Sequence, residues 1–199
     1  MTTWVPLIVN TGSSQIQELP SGQDLDLTGS NISNVAGITI TNSNSAIFNG
    51  AGNAIGNIGS AGSYFNTIFA TSSRALYADL AENYSADSEY TPGTVVVFGG
   101  ENEITINTDV ADERVAGVIS TQPAHLMNSG MHGLPVALRG RVPVNVIGPV
   151  VKGDSLVTSA TPGFAQSVGR DRSFGQAVFA KSLETDSSTG EKVITAVII

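Results

Sequence analysis

Gly59–Tyr84 reads GSAGSYFNTIFATSSRALYADLAENY, and this stretch divides the chain into two parts of different character. Before it runs a polar ribbon without a Lys or Arg; after it comes the pattern of a strand-rich domain. Its first half, Ser63–Ala70, alternates loosely and carries Tyr64, Phe65 and Phe69, as a strand would. Its second half, Ser72–Glu82, is rich in helix formers, with Ser72 or Ser73 as N-cap, and is expected to form a short helix. Ala75, Leu76, Ala78, Leu80 and Ala81 crowd more than one face of that helix, so it needs cover on several sides. Copies of the chain around a three-fold axis would supply that cover better than one small domain, and the stretch therefore predicts an oligomer.

Working backwards, Trp4–Val9 and Gln15–Leu19 read as two short strands separated by the turn Thr11–Ser14, with Pro6 confining the first to an edge. Between residues 24 and 58, Ile32, Val35, Ile38, Ile40, Ile47 and Ile55 stand singly among Gly, Asn, Ser and Thr, with no helical period. One copy of this ribbon has too little apolar surface to offset an ordering cost of about 1–2 kcal/mol per residue. Three interwound copies would let each Ile meet its counterparts and would leave no exposed strand edge. An intertwined trimeric β shaft is the expectation, with a disordered Gly/Asn-rich linker as the alternative.

Working forwards, strands are expected at Thr94–Phe98, Glu103–Asn107, Val115–Ser120, Leu134–Leu138, Arg141–Ile147, Ser155–Thr158, Gln176–Leu183 and Val193–Ile199, with little room for helix. Lys152-Gly153-Asp154-Ser155-Leu156 carries a Gly-Asp turn of the kind found in small β-barrels and β-clip domains, where Gly supplies positive φ and Asp closes the turn. The final VITAVII would be adhesive if free, so that strand is expected inside the sheet.

The 199-residue chain has 13% charged residues, a net charge of −8 and no cysteine. That acidity disfavours contact with a phosphate backbone, so no nucleic acid is expected. Without Cys there is neither a disulfide frame nor a thiolate site. No segment approaches the apolar length needed to cross a bilayer, and MTTWVPLIVN lacks the basic start of a signal peptide.

Several residues invite chemical readings. Asp79 and Glu82 would lie side by side on the expected helix, as a carboxylate pair or as partners of Arg74. His125 and His132 occupy the loop Gln122–Gly133, where they would act with Ser120 or Ser129, bind a metal, or belong to an apolar flap with Met127 and Met131. Neither a nucleophile elbow nor an acid partner stands at a recognisable spacing. Arg139 and Arg141 flank Gly140 and would project to one face, to bind an anionic sugar or phosphate or to pair with carboxylates. GNAIGNIG does not follow a strand and open a helix, so it is not a phosphate loop. The expectation is a protein that is not an enzyme, with no catalytic residues, no cofactor and no metal. His125, His132, Arg139 and Arg141 are the candidate surface-binding residues.

The step FNTIFAT followed by YADLAENY resembles the joint of tail-fibre and appendage proteins of tailed bacteriophages, particularly those of cyanobacterial phages. EYTPGTVVVFGG, RVAGVIST, PAHLMN, VALRGRVPVNVIGPVVKGDSLVTS and PGFAQ resemble the C-terminal β-domain of the same proteins, in the same order. The resemblance extends over roughly Gly56 to Ile199. More distantly, this part is similar to intramolecular-chaperone domains that cleave themselves from phage spikes. The resemblance implies a virion structural protein in four parts. Residues 1–20 would attach it to other virion proteins, 21–64 would form the trimeric shaft, 65–84 a joint with a short helix, and 85–199 a C-terminal β-barrel or β-clip-like domain. Its expected function is that of a short homotrimeric tail fibre that adheres to a host cell-surface glycan. A capsid or neck decoration fibre and a self-cleaving chaperone domain are the alternatives. The expected trimer contacts are Ile32, Val35, Ile38, Ile40, Ile47, Ile55, Phe65, Leu76 and Leu80.

Overall fold

Burial with a two-residue period builds most of this protein. A computed structural model describes residues 7–10, 15–18, 58, 62–63 and 65–199. The chain divides into two units, Met1–Ile68 and Phe69–Ile199. In the first, β1 (Leu7–Asn10) and β2 (Gln15–Glu18) form an antiparallel hairpin that pairs Leu7 with Glu18 and Asn10 with Gln15. That hairpin was expected. Ile32, Val35, Ile38, Ile40, Ile47 and Ile55, and with them the expected shaft, lie outside the described residues.

The second unit is all-β with one short 3-10 helix, Arg172–Ala177. Its strands are β3 (Asp79–Tyr84), β4 (Val95–Phe98), β5 (Ile104–Ile106), β6 (Val115–Ile119), β7 (His125–Met127) and β8 (Leu134–Ile147). They continue as β9 (Ser155–Thr158), β10 (Ala165–Ser167), β11 (Ala180–Ser182) and β12 (Glu191–Ile198). Five of them close a barrel in the order β8, β12, β11, β9, β10 and back to β8, where Ala165 pairs in parallel with Val146.

The barrel's longest seam is β8 against β12, from Gly140 opposite Ile198 to Ile147 opposite Glu191. Val142, Val144 and Val146 point inward from β8, as do Ile194, Ala196 and Ile198 from β12. Leu156, Ala165, Phe179 and Ala180 complete the interior. Each large aliphatic side chain so enclosed contributes about 1.5–3 kcal/mol. Pro143 is tolerated within this seam because of parity. Asn145 N–H turns away from β12 to donate to Gly93 O at 2.9 Å, so the position two residues earlier, which has no N–H, also faces away from β12.

The first half of β8 serves a second sheet layer. There β3, β6, β4 and β5 gather Val96, Ile104, Ile119 and Val136, with Tyr84, Tyr90, Leu134 and Leu138 packed against them. Gly140 marks the change between layers. Its φ is +107°, and a Cβ there would run into the carbonyl oxygen of Ala78 where the chain enters β3. Asn107, fully buried, ties the layers together by donating to Ser159 O at 2.8 Å and Phe164 O at 3.2 Å.

Four expectations are corrected. The helix over Ser72–Glu82 is absent: its end is β3, in which Asp79, Ala81 and Asn83 are buried while Leu80 faces out. Helix propensity lost to pairing, because β3 hydrogen-bonds on both sides, to β7 and β8. No strand forms over the described residues 65–70. Leu134–Leu138 and Arg141–Ile147 are one strand bent at Gly140 rather than two. Gln176–Leu183 is the end of the 3-10 helix followed by the shorter β11. The small barrel and the interior placement of the last strand are as expected. So is the Gly-Asp turn, in which Gly153 has φ +91° and Val151 N donates to Asp154 Oδ2 at 2.9 Å.

Candidate subunit interface and surface clefts

Residues 65–78 contain no helix and no strand of the barrel or its second layer, and their apolar side chains point to solvent. Phe69 is 95% exposed, Leu76 89% and Ile68 73%, and Phe65 and Tyr77 are at least half as open. Scattered single apolar residues on a surface are ordinary, but so many large ones in one short segment are not. Phe65 and Leu76, two of the expected trimer contacts, are therefore left uncovered by the described residues. Leu80, the third described one, is 36% exposed on the outer side of β3.

The strand register joins residues that the sequence left apart. Leu80 stands opposite Arg139 on β8 and His125 on β7, so an aliphatic, a cationic and an imidazole side chain form one row across three strands. All three are exposed, and Arg141, on the far side of Gly140 from Arg139, is exposed as well.

The other histidine, His132, lines a cleft of about 350 Å³ with Ser85, Asp87, Glu89 and Asn102. Much of that cleft's polarity is internally satisfied. Asn102 Nδ2 donates to Ala86 O at 2.8 Å, Ser85 N–H and Oγ donate to Glu103 Oε2 at 2.8 and 3.0 Å, and Tyr90 OH donates to Asp87. The Tyr90 hydroxyl, with Thr105, holds the Asp87 carboxyl below the usual carboxylate range.

Asp79 and Glu82 are not the side-by-side pair that a helix would give, because they lie on opposite faces of a strand. Asp79 is buried and accepts from Ser120 Oγ at 2.6 Å, while its backbone oxygen accepts from Ala124 N at 2.8 Å. Glu82 accepts from Tyr84 OH at 2.9 Å; burial, and after it this bond, raises the tyrosine's pKa. Among the described residues no histidine hydrogen-bonds to Asp79 or Ser120, so a Ser-His-Asp relay is not assembled. No group of three or more His, Asp or Glu side chains is placed to hold a metal ion among those residues.

A second cleft of about 350 Å³ escaped the sequence reading. It opens at one end of the barrel, between the turn holding Gly153, the segment Arg170–Val178 and β11. Ser155, Arg170, Asp171 and Lys181 line it. The signal available was the scarcity of basic residues: the chain has nine, and GRDR holds two of them within three positions. What brings Lys181 to the same place is the pairing of β11 with β9, which sets Lys181 opposite Ser155, and no local pattern announces that. Compared with protein-family models and with curated proteins, the chain matches none.

Proposed function

We propose that this chain is a phage virion structural protein, a short homotrimeric fibre. Its N-terminal segment would attach it to other virion proteins, and its C-terminal β-barrel unit would adhere to a host cell-surface glycan. The observation that carries the reading is the run of large apolar side chains between Phe65 and Tyr77, solvent-exposed in a single chain. A long-lived extracellular protein does not leave Phe69 and Leu76 open to water without an aggregation cost, and an identical segment on a neighbouring chain is the simplest cover. The Gly/Asn/Ser-rich front, short of apolar residues, supports the same assembly, since it too gains from sister chains. The acidic surface and the small barrel suit a structural head on a particle, and the resemblance of YADLAENY and the words after it to phage appendages gives the setting. Adhesion would be multivalent: three weak sites held together give an avidity that one lacks.

Light-scattering mass of the intact chain tests the reading: a particle of three chains supports it, and a well-folded monomer refutes it. The same sample on a denaturing gel decides whether the barrel unit stays attached. A fragment beginning near residue 80 would instead favour a self-cleaving chaperone.

A further inference from the structure

We infer that the cleft between Gly153, Arg170–Val178 and Lys181 is a binding site for an anionic sugar, one carrying a carboxylate or sulfate beside free hydroxyls. The chemistry lies in what lines it. Arg170 and Lys181 bring two cations to a chain of net charge −8, and among the described residues neither pairs with a carboxylate. By contrast, Arg114 is engaged by Asp112 at 2.7 Å and Lys192 by Asp186 at 3.5 Å.

Lys181 Nζ donates to Ser155 Oγ at 3.2 Å, which leaves two ammonium protons and the serine's own hydroxyl proton for a ligand oxygen. Ser155 is held in place from both sides of its backbone: its N–H donates to Gly169 O at 2.7 Å and its carbonyl accepts from Val168 N at 3.0 Å. Arg170 supplies a planar fork that fits carboxylate or sulfate through two parallel hydrogen bonds.

The fourth polar group excludes a bare anion as the best fit. Asp171 also lines the cleft, with Oδ1 accepting from Ser173 N at 2.9 Å. That bond, together with the Ser173 side chain, keeps its carboxyl below the ordinary range and hence ionised at neutral pH. A phosphate or sulfate ion would meet this charge with nothing to offer it. A sugar acid meets it with hydroxyl donors on one side and turns its acid group to Arg170 and Lys181 on the other. Val178 adds an apolar side chain to the lining, against which a ring face can rest. At about 350 Å³ the cleft lies at the small end of the range of about 300–1,000 Å³ typical of ligand sites, suited to one terminal or side-branch unit. Both cations are exposed, so a single site would bind weakly and depend on salt.

The biological use of this site rests on the adhesion reading above, whereas its chemistry does not. The test is retention of the intact chain on immobilised polygalacturonate, dextran sulfate and neutral dextran, with light-scattering mass measured on the same samples. Wild-type chain is expected to be retained on at least one anionic polymer and released by salt, and not to be retained on dextran. Arg170→Ala/Lys181→Ala should weaken retention by at least about tenfold, the loss of charge-assisted hydrogen bonds. Arg74→Gln/Arg114→Gln, which removes equal charge from outside the lining of the cleft, should leave it within about twofold. Equal loss in the two variants, no loss in the first, equal retention on dextran, or no retention of the wild type overturns the site. A trimer that ignores both anionic polymers refutes the cleft and leaves the fibre standing; a monomer that binds them through Arg170 and Lys181 does the reverse.

Discussion

Replacing Phe69 and Leu76 by serine separates a covered interface from a merely apolar surface. Phe69 is 95% exposed and Leu76 89%, so neither side chain contributes much to its own chain's fold. Their removal should change the stability of the barrel by no more than about 0.5 kcal/mol, as for other surface substitutions. If a sister chain covers them, each contributes about 1.5–3 kcal/mol on association, so the double variant loses about 3–6 kcal/mol per chain. At 1.4 kcal/mol per factor of ten, that weakens each subunit contact by roughly a hundredfold to ten-thousandfold. Light-scattering mass over a dilution series is the assay, with amide exchange along β8 and β12 as the control for an intact barrel. The expected outcome is a parent that stays trimeric at dilutions where the variant runs as a folded monomer. A variant that keeps the parent's mass throughout the series refutes the reasoning, and so does one in which β8 and β12 lose protection.

Three further outcomes follow from the packing. Gly140→Ala should destabilise the second unit by about 2–4 kcal/mol, combining left-handed strain with collision against the backbone at Ala78. Gly148→Ala, at φ +80° with open space around it, should cost only the strain, about 1–2 kcal/mol; chemical unfolding that ranks the two equal would show that β3 does not cross β8 there. Asn107→Ala removes two hydrogen bonds between the layers, but Phe164 O keeps the Ser159 N–H and Oγ as donors and the unpartnered Asn107 Oδ1 goes too, so it should cost about 1–2 kcal/mol and raise amide exchange in Ser159–Phe164 before the rest of the barrel. The Asp112 carboxyl is held below its ordinary value chiefly by the Arg114 guanidinium. Its folded pKa therefore lies under its unfolded one, and its stabilising contribution, full above the ordinary carboxylate range, disappears only as pH falls through the lowered value. Arg114→Gln should move the Asp112 titration, followed by carboxyl NMR shifts, upward toward the ordinary value; an unmoved titration would show that the pair does not form in solution.

Much of the barrel can be read from the chain because its information is local. RVPVNV sets a Val at every second position, Gly153 and Asp154 carry their turn chemistry in their own backbone and side chain, and VITAVII could hardly end anywhere but within a sheet. Hydrophobic period, turn residues and charge balance need no neighbour to act, so composition and spacing suffice to predict an all-β, acidic, strand-rich unit. What the tertiary structure alone decided depends on partners distant in sequence. Ser72–Glu82 has good helix formers, yet Asp79–Tyr84 becomes a strand because β7 and β8 offer hydrogen bonds on both of its edges, and ladder pairing outweighs a propensity of a few tenths of a kcal/mol per residue. The row of His125, Leu80 and Arg139 and the meeting of Ser155, Lys181 and Arg170 arise in the same way. Strand register places residues tens of positions apart on one surface, and register is settled by the closing of the whole sheet, which no short window of sequence contains.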